Sequence, residues 1–234
     1  MIPKKIHWCW LSGDPLPESV KKYQVTWKYL LPDYKIKCWT QENFDVDSVP
    51  IVKEAVTRRR WAFASDYIRL HAVYTEGGIY FDSDVVLFKS FNEFLKHRFF
   101  TAIEISWEGY QDVPMSEVID SDGLPVNRPV QRYIMLQAAI FGAESGHPFL
   151  KTCMDHYRAV HKEAFDYYLS GQIVAPHIYA DMALKYGFRY KDELQQLNEG
   201  MVIYPHQTFA GYWPQRKEES YALHTCAGGW RTQL

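Results

Sequence analysis

The run Gly77-Gly78-Ile79-Tyr80-Phe81-Asp82-Ser83-Asp84 limits the fold of this chain more tightly than any other stretch. It stops a helix, starts a strand and ends on two carboxylates. Upstream, residues Ala62 to Tyr74 carry apolar side chains at helical spacing (Ala62, Phe63, Ile68, Leu70, Ala72, Val73), and Gly77 or Gly78 supplies the positive-φ stop. Ile79, Tyr80 and Phe81 are β-favouring and apolar, which predicts a short buried strand. Asp82 and Asp84 follow at its C-terminal edge, where open α/β sheets bind their ligands.

Two carboxylates at such an edge imply a third charge. In an extended segment side chains alternate, so Asp82 and Asp84 are expected on one side and Ser83 on the other. A diphosphate facing that pair is repelled unless a divalent cation lies between them, and Mn²⁺ or Mg²⁺ accepts such all-oxygen ligands. A bare D-x-D is common in solvated loops, so its neighbours carry weight. Asp66 and Arg69 lie three residues apart and share a helical face. On a polar helix they would read as a surface ion pair worth under about 1 kcal/mol. Their apolar flanks instead predict a polar pair turned into a cleft.

The segment S-D-x-x-R followed by GGIY-x-D-x-D resembles the sugar-binding region of retaining, metal-dependent glycosyltransferases. That group, of glycosyltransferase family 32 type, includes the yeast initiating mannosyltransferase, α1,4-galactosyl- and α1,4-N-acetylglucosaminyltransferases, and bacterial capsule and lipopolysaccharide transferases. Three further segments are similar to the family in the same order: IPKKIHWCW (Ile2 to Trp10), QAAIFGAESGHPFL (Gln137 to Leu150) and LHTCAGGW (Leu223 to Trp230). The resemblance implies a GT-A-like α/β fold, with a Rossmann-like nucleotide-binding half and a mostly parallel central sheet flanked by helices.

It also implies roles. Asp84 is expected to ligate Mn²⁺ or Mg²⁺ directly, and Asp82 to bind the metal and the ribose, beside Ser83. Asp66 and Arg69 are expected to hold the donor sugar and orient its diphosphate end. Trp10 would stack on the nucleobase, and His224 and Trp230 would close over the diphosphate. Two positions depart from the family pattern. Gln137 stands where Asn is usual; a neutral amide is a poor nucleophile, so it is expected to support an oxocarbenium-like transition state electrostatically. Gly228-Gly229-Trp230 replaces Gly-Ser-Trp, which removes a metal-shell serine and leaves His224 or water to fill in.

Composition bounds the partners. At 234 residues the chain can bury a full α/β core. Its net charge of −2 provides no general attraction to nucleic acid or anionic lipid. No apolar run approaches the ~20 residues of a membrane span, and Met1 leads directly into the first strand pattern, so neither a span nor a signal peptide is expected. Cys9, Cys38, Cys153 and Cys226 show no C-x-x-C spacing, which predicts reduced thiols in a cytoplasmic setting. Aromatic faces suit sugar rings, but Trp27, Trp39 and Trp61 are expected in the core, and His7, His71, His147, His177 and His206 in structural roles. Arg58-Arg59-Arg60 reads as a solvated helix face.

The first part of the chain alternates strand and helix: a strand at Ile6 to Trp10, a helix at Pro17 to Tyr29, a strand at Tyr34 to Trp39, and a helix near Val49 to Val56. This pattern predicts βαβ units. No G-x-G-x-x-G loop is present, so phosphate binding falls to metal and side chains. One domain is expected, nucleotide-sugar-binding over about 1–98 and acceptor-binding over about 99–234. Most of Phe99 to Asn127, acidic and without Lys or Arg, is read as a mobile loop over the cleft. The Tyr-rich segment Ala164 to Gly187, with helical patterning near Tyr179 to Tyr186, is expected to pack beside the acceptor cleft, with Asp181 as its notable polar residue.

The activity implied is transfer of a hexose from a nucleotide sugar to a glycan or lipid-linked acceptor. UDP-galactose, UDP-glucose, UDP-N-acetylglucosamine and GDP-mannose all fit as donors, and the setting would be bacterial surface-polysaccharide synthesis with peripheral contact at the inner face of the membrane. A non-catalytic sugar- or nucleotide-binding protein would have little reason to keep the aspartate pair with Asp66 and Arg69. A two-metal phosphohydrolase usually needs more acidic and His ligands than this region offers.

Overall fold

The computed structural model describes residues 1–106, 115–126, 133–211 and 213–226. Eleven strands are β1 (Lys5–Cys9), β2 (Lys35–Trp39), β3 (Gly78–Phe81), β4 (Val85–Leu87), β5 (Phe99–Ile105), β6 (Ile134–Leu136), β7 (Ile140–Ala143), β8 (Gln195–Gln196), β9 (Met201–Tyr204), β10 (Phe209–Ala210) and β11 (Ala222–His224), counted among the described residues. The α-helices are α1 (Glu18–Leu30), α2 (Pro50–Thr57), α3 (Trp61–Glu76), α4 (Met115–Val118), α5 (Pro148–Arg158), α6 (Phe165–Leu169) and α7 (Ala175–Ala183).

The large sheet runs β2-β1-β3-β7-β5-β9-β8, with β6 also paired to β5. Strands β1, β2 and β3 are parallel, as are β5 and β9, while β7 runs antiparallel to both β3 and β5. This is a mixed α/β architecture of GT-A type with a mostly parallel central sheet. A smaller sheet, β10-β11-β4, carries the tail back to the aspartates: β11 lies antiparallel to β4, with His224 opposite Val85.

Side-chain alternation along the strands divides the interior in two. Tyr80, Phe99, Ile103, Phe141 and Ile203 face a core closed by α2, α3, α5 and α7. Ile79, Phe81, Phe100 and Ile140 face another that contains Trp27 of α1, Phe91, Phe94 and Phe209. A sheet covered on both faces is what the near-continuous apolar runs of its strands demand. Burial of each large side chain contributes on the order of 2 kcal/mol.

The helix-to-strand junction depends on its glycines. Gly77 adopts φ +63 and caps α3 by donating its N–H to the Val73 carbonyl at 2.8 Å. Gly78 adopts φ +120, and a Cβ there would lie 2.8 Å from the Lys5 carbonyl oxygen, so β1 and β3 can approach only across a glycine. His7 braces the junction: Nε2 donates to the Gly77 carbonyl at 2.9 Å, while Nδ1 accepts from Trp39 Nε1 at 3.1 Å. His147 caps α5, with Nδ1 accepting from the Phe149 N–H and Nε2 donating to the Glu199 carbonyl.

Two sequence expectations are corrected. The segment from Phe99 is not a loop at its start: Phe99 to Ile103 are buried and β5 lies within the sheet, because its apolar residues pair with β7 on one side and β9 on the other. Residues 107–114 of that segment lie outside the described residues. The D-x-D segment is not extended either, since the Val85 N–H donates to the Asp82 carbonyl at 3.1 Å and closes a turn over 82–85. The four cysteines are free. No described helix is long and apolar enough to cross a membrane.

Candidate active site

A cleft of about 590 Å³ opens where β1 and β3 end, in the size range of small-molecule sites. Its wall includes Trp10, Asp66, Arg69, Asp82, Ser83 and Asp84, joined by Gln137 and His224 from later in the chain. Trp230 lies outside the described residues. Asp181, on α7, is not part of the cleft wall. Trp61, expected in the core, packs half-buried against it and also lines the cleft.

The turn brings both aspartates to one place. Ligand atoms of Asp82, Asp84 and His224 all lie within 4.8 Å of one another. His224 Nε2 approaches Asp84 Oδ1 at 3.2 Å, because β11 ends beside β4. The tail is also tied to the turn through its backbone, as the Thr225 N–H and hydroxyl both donate to the Asp84 carbonyl, at 3.1 and 3.0 Å. From the other side Trp27 Nε1 donates to the Val85 carbonyl at 2.8 Å. Burial alone would lower the His224 pKa, but Asp84 outweighs it and holds the imidazole well above its ordinary value.

These donors fit a divalent cation. Two carboxylates and an imidazole nitrogen converge from a turn and a strand whose backbones are hydrogen-bonded to each other. Carboxylate oxygens suit Mg²⁺ and Mn²⁺.

Arg69 is 5% exposed, and its N–H groups meet protein acceptors. Nε donates to the Ser65 carbonyl at 3.3 Å, Nη1 to the Ala138 carbonyl at 3.0 Å and to Asp82 Oδ2 at 3.4 Å, and Nη2 to Ser65 Oγ at 3.0 Å. Nη2 also lies 3.1 Å from Asp66 Oδ1 and 3.3 Å from Asp82 Oδ1. Its guanidinium therefore aligns two cleft carboxylates. Asp66 is pushed up to about 7 by burial, against the opposing pull of Arg69. Near neutrality its carboxyl can thus both accept and donate hydrogen bonds.

Gln137 is fully buried, and its Oε1 accepts from the Ala139 N–H at 3.2 Å. Its Nε2 is buried in the cleft wall with no acceptor among the described residues. An unmade donor beside a cleft is costly unless a ligand completes it. Trp10 stands one residue beyond β1, with its Nε1 donating to the Asp14 carbonyl at 2.7 Å, which holds the ring at the rim.

Several cleft residues escaped sequence reasoning. Glu104, near the end of β5, reaches the cleft, and burial pushes it up to about 7. The signal was present: it is a single carboxylate ending the apolar strand FFTAI, hidden by the acidic stretch that follows it. Tyr80 donates its hydroxyl to Asp82 Oδ1 at 2.7 Å. Cys226 lies beside His224, and nothing in its spacing marked it.

Over 109 residues the chain is 27% identical to "Uncharacterized glycosyltransferase L373" of Acanthamoeba polyphaga mimivirus, covering 43% of this chain and 42% of that protein, so the match spans less than half of the relative's length. Among solved structures, PaToxG Glycosyltransferase superposes with a TM-score of 0.51 at 16% identity, over 79% of this chain and 69% of that one. The galactosyltransferase LgtC in complex with donor and acceptor sugar analogs gives a TM-score of 0.48 at 11% identity, over 98% and 93%. Residues 17–101, which hold Asp66, Arg69, Asp82 and Asp84, match the family described as "Glycosyltransferase sugar-binding region containing DXD motif", and the chain has a mixed α/β fold of GT-A type.

Proposed function

We propose that this protein is a metal-dependent, retaining hexosyltransferase that moves a sugar from a UDP-sugar to a glycan or lipid-linked acceptor. The observation that carries this reading is the convergence of Asp82, Asp84 and His224 on one side of a cleft large enough for a nucleotide sugar. These three side chains would hold Mn²⁺ or Mg²⁺. When bound, the ion neutralises the diphosphate and the charge that develops on the departing nucleoside diphosphate.

The remaining residues bind, orient and support charge. Trp10 offers an aromatic face to the base, and Ser83 a hydroxyl at the centre of the turn. Asp66 binds donor-sugar hydroxyls, and Arg69 keeps Asp66 and Asp82 aligned from behind. Gln137 Nε2, without an acceptor among the described residues, donates to the sugar and steadies the oxocarbenium-like transition state through its amide dipole. The bond from the anomeric carbon to the leaving phosphate oxygen breaks as the acceptor oxygen bonds to that carbon from the same face. The acceptor proton passes to the departing phosphate oxygen, so the anomeric configuration is retained. In this reading residues 99–234 furnish the acceptor side, and the protein works in the cytoplasm on bacterial surface polysaccharide, with peripheral contact at the inner face of the membrane.

Incubation with a panel of UDP-sugars and Mn²⁺, with free UDP and free phosphate read separately, tests the proposal. UDP without phosphate supports transfer or donor hydrolysis at the anomeric carbon. UMP with a sugar phosphate, or free phosphate, points to a phosphohydrolase, and no product at all to a binding protein.

A further inference from the structure

We propose that Cys226 is a positioning residue that fixes the ring nitrogen with which His224 meets a cation. This deepens the metal-dependent reading above and rests on it. The imidazole lies between two partners, with Nε2 3.2 Å from Asp84 Oδ1 and Nδ1 3.4 Å from Cys226 Sγ. The thiol has a second neighbour, the Gly211 carbonyl oxygen, at 2.8 Å.

A carbonyl oxygen only accepts, so the thiol hydrogen is committed to Gly211. The sulfur therefore turns its lone pairs toward His224, and Nδ1 must carry the hydrogen between them. Without a cation Nε2 carries its own proton toward Asp84; a cation that takes that proton's place meets Nε2 bare on the side of Asp84 and Asp82. A bare nitrogen facing carboxylates is repulsive on its own and becomes favourable with a cation between them. Metal-binding imidazoles commonly have their second nitrogen held in this way, and loss of the outer partner weakens the metal.

The surroundings hold this arrangement in place. Gly211 is anchored where its N–H donates to Gln215 Oε1 at 3.0 Å, and a Cβ there would lie 2.9 Å from that same oxygen. Cys226 adopts φ +50, a left-handed backbone that disfavours any residue with a Cβ. Glycine would occupy that position without strain, whereas cysteine delivers sulfur to Nδ1. Thr225 ties the tail to the turn independently of the thiol.

Calorimetric titration of Mn²⁺ into the full chain, with thermal unfolding of the same samples, tests this role. Cys226→Gly relieves the backbone and removes the thiol, so it is expected to melt at or above the wild-type temperature while its Kd for Mn²⁺ rises about tenfold. Cys226→Ser keeps a group that can donate to Gly211 and accept from Nδ1, and it is expected to restore the Kd to within about threefold of wild type. Wild-type Mn²⁺ affinity in Cys226→Gly, beside lost binding in Asp84→Asn, would overturn the role of Cys226 and leave the metal site standing. Equal weakening in the Gly and Ser variants would likewise overturn it, as a packing effect. Absence of Mn²⁺ binding by the wild-type protein would overturn the metal site and this role together.

Discussion

Tyr80 donates its hydroxyl to Asp82 Oδ1 at 2.7 Å, so a side chain of the buried strand holds the first aspartate of the turn that follows it. The Arg69 guanidinium lies over the same tyrosine ring, 5.0 Å from its centroid, and grips both oxygens of Asp82. Asp82 is thereby oriented before any ligand arrives. Tyr80→Phe keeps the ring and removes one hydrogen bond to a charged group, typically worth about 1.5–3 kcal/mol. The expected result is a Kd for Mn²⁺ raised about tenfold, with α-helical circular dichroism unchanged; calorimetry reads the first and spectroscopy the second.

Asp84→Asn tests the second aspartate. An amide keeps the shape but loses the charge that faces His224 Nε2. Transfer and metal-dependent donor hydrolysis are expected to fall by about 100-fold or more, while the melting temperature stays within a few degrees of wild type. Turnover at the wild-type rate would remove Asp84 from the mechanism.

Glu104 makes stability depend on pH. Burial raises its carboxyl from 4.5 to about 7, so the folded state holds a proton that the unfolded chain releases. The stability tied to that proton is present below about pH 4.5 and is lost as pH rises toward 7. Glu104→Gln removes the penalty of ionising a buried group. Its melting temperature is expected to equal wild type near pH 4, to rise above it through pH 5–7 and to remain several degrees higher at pH 8. Parallel melting curves across that range would show that Glu104 ionises freely.

Gly78→Ala probes the junction beneath the site. The new methyl would lie 2.8 Å from the Lys5 carbonyl oxygen on a backbone at φ +120. A loss of about 2–4 kcal/mol in unfolding free energy is expected, as for other backbone-strained and overpacked substitutions. Chemical denaturation measures it.

The local part of this architecture was legible because its signals are local. Helical spacing from Ala62, two glycines and the apolar IYF run foretell α3, its stop and β3 within a residue or two, and Val49–Val56 foretells α2. The direction of β7 was not legible, because a strand's orientation follows from how its connections close in space, not from its residue pattern. The turn over 82–85 was hidden for a related reason: a single hydrogen bond from Val85 overrides the alternation that an extended segment would show. Arg69 was legible as a polar residue aimed inward, yet its acceptors Ala138 and Ser65 are backbone and hydroxyl groups with no sequence signature. Glu104 was misplaced because the composition of the following stretch outweighed the largely apolar FFTAI run before it.

Binding of UDP to the wild-type protein, measured by calorimetry with and without Mn²⁺, tests the central claim most directly. If paired carboxylates and His224 make the diphosphate bindable through a cation, UDP binds at least about tenfold more tightly with Mn²⁺, and the Asp84→Asn protein loses that difference. Equal UDP affinity in the presence and absence of Mn²⁺, or no UDP binding in either, would contradict the account.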